Sequence, residues 1–194
     1  MVLTVTRESD NTNSRHVVLT QANESNGQHV TGSERPLITV DVNHQRLHEG
    51  RAFYAYVLYP HAAQLAAGAS LDIAIAFASG NKPHLVYDAN CGGDAEIYLY
   101  ENAVVTGGTT LSSYSRNRII ATTSASVILL NPTVTSTGSL LEAEFIAGGT
   151  GKKSGGGIAG STEQVLAPLT TYLFRLTNVN GTDHMAYLHL EWYE

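Results

Sequence analysis

The sequence predicts an all-β protein: a jelly-roll-like antiparallel β-sandwich behind an extended polar N-terminal arm. Three observations predict it. Apolar residues alternate at period two in roughly eight to ten short stretches. Turn-forming Gly, Asn and Thr separate these stretches at intervals of about 8–12 residues. Helix composition is nearly absent. Among sandwiches, a jelly roll suits the strand count.

Composition narrows the class. The 194 residues suit one domain with an appendage, long enough to bury a sizeable core. A formal net charge of −6, without a basic block, argues against binding a nucleic-acid backbone. The single cysteine, Cys91, excludes an internal disulfide and a multi-cysteine metal site. The start, MVLTVTRESD, has neither the basic nor the apolar region of a signal peptide, and no apolar run approaches a membrane span. A protein made in a reducing cytoplasm is expected, with no membrane partner.

Residues 2–6 suit a short strand. Arg7 to Arg35 are polar, interrupted by Val17, Val18 and Leu19. Such a stretch cannot bury enough apolar area to offset its own ordering entropy. Residues 1–35 are therefore expected to form an arm, and 36–194 the sandwich. Leu37 to Val42 alternate as a strand, and Asn43 to Gly50 form a polar turn. Arg51 to Tyr59 is a strand with Phe53, Ala55, Val57 and Tyr59 on one face and Tyr54, Tyr56 and Leu58 on the other. Two apolar faces imply a central strand or a subunit contact.

Ala62 to Ala69 alone has helix composition, for at most two turns. Leu71, Ile73, Ile75 and Phe77 then alternate, Gly80-Asn81 turns the chain, and His84 to Tyr87 opens a strand that Gly92-Gly93 ends. Residues 95–101 follow as a strand, and Thr106 to Arg118 as a loop. Ser126 to Leu130, Leu140 to Ile146 and Glu163 to Leu166 are further strands. Between the last two, the Gly-rich stretch 148–160 reads as a long loop.

The chain ends in an expected β-hairpin, Thr171 to Glu194, turned by Asn180-Gly181. On its first arm Tyr172, Phe174 and Leu176 share a face. On its second, Ala186, Leu188, Leu190 and Trp192 face the core, while Tyr187, His189, Glu191 and Tyr193 face outward.

Chemistry is harder to find. The run GGTGKKS lacks phosphate-loop spacing, because Ile146 stands where the first Gly is required. Cys91 beside a Gly-Gly turn could be a nucleophile with His84 or His189 as base, but it has no identifiable activating group. His44 and His48 have the helical ligand spacing of four but sit in the expected polar turn. His184 and His189, five apart, fall on opposite strand faces. His189 and Glu191 share a face and suit metal or acid–base work, yet no second motif completes it. Glu142 and Glu144 share a strand face, and Asp88, Asp94 and Glu96 surround a turn; a glycosidase needs carboxyls facing each other across a cleft. No catalytic, cofactor or metal residues are therefore assigned, and no enzyme activity is expected. Exposed tyrosines suit either sugar stacking or interface anchoring.

Six strings, in order, carry a resemblance: NHQRLHEGRAF, GGDAEIYLYE, SYSRNR, NPTVTSTGSLLEAEFIAGGTG, YLFRLTN and the terminal LEWYE. They resemble small β-rich virion proteins of tailed bacteriophages, taken to be head decoration, or cement, proteins. The resemblance runs from about Asn43 to Glu194. It implies a non-enzymatic structural protein on the capsid exterior, whose partners are the major capsid protein and other copies of itself, as a dimer or trimer. The interface candidates are Tyr54, Tyr56, Tyr187, His189 and Tyr193 on the sandwich, and Val17, Val18 and Leu19 on the arm. The alternative is a carbohydrate-binding module of a phage tail or a secreted protein.

Overall fold

The computed structural model describes residues 3–6, 18–21, 42–78, 82–120, 122–148, 157–158 and 163–194. The chain divides into two compact units, Met1–Val42 and Asn43–Glu194. In the first unit, β1 (Leu3–Thr6) and β2 (Val18–Gln21) pair antiparallel, with Val5 opposite Leu19. The expected strand at residues 2–6 is thus present as β1. Val18 and Leu19 lie in β2; Val17 lies outside the described residues, as do residues 37–41 of the next expected strand.

The second unit holds all of α1 (Val42–His48) but its first residue, followed by β3 (Ala52–Tyr59), β4 (Ser70–Ala76), β5 (His84–Cys91) and β6 (Ala95–Glu101). Three short strands come next: β7 (Val104–Thr106), β8 (Thr109–Thr110) and β9 (Tyr114–Ser115). Then come β10 (Val127–Leu130), β11 (Thr133–Ser136), β12 (Ser139–Ile146), β13 (Gly157–Ile158) and β14 (Gln164–Val165). The last two are β15 (Thr171–Asn178) and β16 (Ala186–Tyr193).

These strands build an all-β sandwich of two antiparallel sheets. The first has the order β13-β5-β16-β3-β9, with β14 also paired to β5. The second has the order β12-β6-β15-β4-β10-β8. Period-two alternation turns one side of every long strand inward. Phe53, Leu85, Leu188 and Trp192 of the first sheet meet Leu71, Ile73, Ile97 and Phe174 of the second, and all are buried. Ring contacts cross the interface, Tyr87 to Phe174 at 5.3 Å and Phe77 to Trp192 at 6.3 Å between centroids. A ribbon of β7 and β11 forms a second, smaller core. Its Val105 and Val134 join Leu129 and Tyr100 around Ala74 and Leu173, which point outward from the second sheet and are nonetheless buried.

Four expectations need correction. The terminal stretch is not a hairpin: β15 pairs with β4 and β6, while β16 pairs with β3 and β5. The two arms belong to opposite sheets. Their alternation is as expected, but each apolar face meets the other across the core rather than beside it. Asn180 and Gly181 do not take the positive-φ conformation of a tight hairpin turn.

Ala62 to Ala69 is not helical. Leu65 is buried and exchanges backbone hydrogen bonds with His184, at 2.8 and 3.0 Å. Fully buried Asn178 donates from Nδ2 to the carbonyls of Leu65, Ala66 and Thr182. Long-range partners thus satisfy the backbone groups that a helix would have used.

Asn43 to Gly50, expected as a turn, holds most of α1. Its C-terminus is a Schellman motif: Arg51 N–H donates to Arg46 O and Gly50 N–H to Leu47 O, with Gly50 at φ 72°. Asn117 Nδ2 donates to the carbonyls of Leu47 and His48, at 3.1 and 3.0 Å. Finally, Thr106 to Arg118 is not a plain loop, since β8 and β9 lie within it. The turn Gly80-Asn81 lies outside the described residues. So does the Gly-rich stretch, apart from Gly148, Gly157 and Ile158.

Candidate functional site

The first sheet turns its second face to solvent, and that face is aromatic. In β3, β16 and β5 the residues between the core positions are Tyr54, Tyr56 and Leu58, then Tyr187, His189, Glu191 and Tyr193, then His84, Val86, Asp88 and Asn90. Antiparallel register fixes who stands beside whom. His189 lies between Tyr56 and Asp88, Tyr187 between Leu58 and Asn90, and Glu191 between Tyr54 and Val86. Edge strand β9 adds Tyr114 opposite Tyr54.

Five rings form one connected cluster. Tyr54 touches Tyr114, His189 and Tyr56, with centroids 5.5, 5.8 and 6.3 Å apart. Tyr187 touches Tyr56 at 6.4 Å and His189 at 5.9 Å, the last pair within 10° of parallel. Each contact falls in the range of favourable aromatic pairing. Tyr56 is 46% exposed, Leu58 55% and Tyr114 44%, so the face is apolar and open to solvent at once.

Charge frames the cluster. Arg116 pairs with Glu191, and the Asp88 carboxylate lies 3.7 Å from His189 Nδ1. Burial, then the Asp88 charge, push the Tyr187 phenol above its ordinary pKa, so it stays neutral and keeps its O–H donor. Tyr193 faces the same way at the far end of β16. There it stacks on His84 at 4.7 Å, within 16° of parallel, and donates its O–H to Glu163, which also meets His84 Nδ1 at 3.0 Å.

Of the residues singled out in the sequence, Tyr54, Tyr56, Tyr187 and His189 thus come together, with Tyr193 beyond them on the same face. Val18 and Leu19 lie in the other unit. Tyr114 and Arg116 escaped the sequence reading because β9 has two residues, too few to show a period. The resemblance string SYSRNR, which holds both, was the available signal.

The chemical candidates do not converge on a reaction. Cys91 faces the core from β5, whereas His84 and His189 face the opposite side, and burial raises its thiol pKa. Glu191 is engaged by Arg116, not by His189. Glu142 accepts from Gln164 Nε2 at 2.9 Å, and its hydrogen bond to Glu144, after burial, raises the Glu144 carboxyl above its ordinary range. Asp94 accepts the Gly148 N–H at 2.7 Å, and Glu96 accepts the Tyr98 O–H. Among the described residues no three His, Cys, Asp or Glu side chains surround a common metal position. Comparison with protein-family models, with curated proteins and with solved structures found no match.

Proposed function

We propose that this protein is a non-enzymatic binding protein that docks through the tyrosine face of its first sheet, and that its partner is a phage capsid. The observation that carries the reading is the connected cluster of Tyr54, Tyr56, Tyr114, Tyr187 and His189, with Leu58 beside it, on a rigid sheet. Tyrosine is enriched among the residues that dominate protein interfaces, because its ring supplies contact area at low entropic cost while its O–H finds partners. A β-sheet holds such rings in place before binding, which limits the ordering cost. The capsid as partner is supported by the sequence resemblance to head decoration proteins. A capsid offers many equivalent sites, so modest affinity at each gives dense decoration.

The strand order supports the finer description of the fold as a jelly roll. Eight strands run β3-β16-β5-β13 in one sheet and β4-β15-β6-β12 in the other. Two interlocked Greek keys give that order. On this reading, β9, β8 and β10 are additions at one edge.

Co-sedimentation with undecorated phage heads tests the proposal. Saturable binding at a simple ratio to capsid subunits, with raised heat resistance of the heads, is the expected result. Absence of binding, together with a calorimetric response to host polysaccharide, would replace it with sugar recognition by the same face.

A further inference from the structure

The geometry points to a transition-metal site on α1, formed by His44 and His48. Because α1 makes Val42–His48 helical rather than a turn, the spacing of four places both imidazoles on one helix face. Both residues are exposed, and their rings meet edge to face with centroids 4.5 Å apart and planes at 76°. The two Nε2 atoms are 3.0 Å apart.

That separation is the bite of a chelate. Two metal–nitrogen bonds of about 2.1 Å set at a right angle place their nitrogens about 3.0 Å apart. A tetrahedral angle requires about 3.4 Å, which a small ring rotation supplies. Without metal, one ring donates Nε2–H to the lone pair of the other. Coordination needs both lone pairs, so the donor ring moves its proton to Nδ1 and the ion takes the shared position, with no net proton released.

The helix is held for this task from its C-terminal end. The Schellman motif at Gly50 and the two bonds from Asn117 fix the last turn, which carries His48. Around the pair, Gln45 Nε2 donates to Glu49 Oε1 at 2.8 Å and Arg46 pairs with Glu49 at 3.2 Å, so these side chains bond one another. Two neutral imidazoles suit the borderline divalent ions, with Cu²⁺ and Ni²⁺ ahead of Zn²⁺ in intrinsic affinity. Water fills the remaining positions, and the ion is exchangeable.

Untagged full-length protein, freed of metal with a chelator, would be titrated calorimetrically with Cu²⁺ and with Ni²⁺. The expected result is one ion per chain. His44→Ala and His48→Ala each weaken binding by at least the roughly 10–100-fold that loss of an outer-shell partner costs, whereas His61→Ala, at another exposed histidine, leaves it unchanged. Electron paramagnetic resonance of the Cu²⁺ complex shows nitrogen coordination that either helix substitution reduces. Because both side chains are exposed, circular dichroism of the variants matches that of the native chain. No saturable binding by the native protein, or equal binding by the His44→Ala/His48→Ala double variant, would overturn the site.

Discussion

The two sheets treat their outer faces in opposite ways. On the second sheet, the outward side chains of Ala74 and Leu173 are as buried as the inner core, because β7 and β11 fold over them. On the first, Tyr56, Leu58 and Tyr114 stay exposed, and the rings of Tyr56 and Tyr114 each pair with Tyr54. An apolar residue facing outward is therefore not yet a binding residue. What separates Leu173 from Tyr56 is whether the fold supplies its own cover, and the tyrosine face is the surface we assign to a partner.

Substitutions that remove core contacts on either side of the second sheet bring the largest losses. Trp192→Ala, at the meeting of Phe53 and Phe77, is expected to cost about 3–5 kcal/mol. Leu173→Ala should cost about 2–5 kcal/mol although it faces outward. Tyr56→Ala should cost less, about 1 kcal/mol, because its half-exposed ring gives up only the pairings with Tyr54 and Tyr187. Urea midpoints of the three variants measure the contrast, and a loss at Tyr56 as large as that at Leu173 would break it.

Asn178→Ala comes next, at about 2–3 kcal/mol, because three backbone carbonyls lose their donor. Gly50→Ala is smaller, about 1–2 kcal/mol. It forces a side chain into φ 72°, with Ile120 O only 3.1 Å from the new Cβ. Thermal unfolding of both variants ranks them.

The core also sets an alkaline limit. Burial, then the Glu101 carboxylate, push the Tyr172 phenol up to about 12, against an ordinary value near 10. A proton is thus held more tightly in the folded state. The associated stability is full below pH 10 and is lost as pH rises from about 10 to about 12. Tyr87, also raised by burial, acts in the same sense. Tyr172→Phe should flatten the fall in unfolding midpoint between about pH 9 and about pH 11.5, a span that brackets the ordinary tyrosine value.

The strand alternation was legible in the residues, and with it the two faces of β3 and, for β16, which face meets the core. Alternation tells which side of a strand is apolar but not which strand lies beside it. For that reason the β15–β16 connection read as a hairpin when it crosses between sheets. Ala62 to Ala69 misled because intrinsic propensity is weak beside the long-range bonds from His184 and Asn178. The α1 helix was missed for the opposite reason. Its seven residues are too few for an apolar stripe, yet Glu49-Gly50-Arg51 after His48 carried the stop signal. Recognising it would also have revealed His44 and His48 as a facing pair. On the aromatic face, β3 and β16 were readable singly; their adjacency required the register.

Binding to undecorated heads, compared between two surface variants, tests the central claim most directly. One variant carries Tyr56→Ser with Tyr114→Ser on the first sheet. The other carries Leu140→Ser with Phe145→Ser, exposed apolar residues of β12 at the edge of the second. The account predicts that the tyrosine variant binds roughly 5–30-fold more weakly per substitution, with a native circular dichroism spectrum, while the β12 variant decorates heads like the native chain. Full decoration by the tyrosine variant, with loss in the β12 variant, would contradict it.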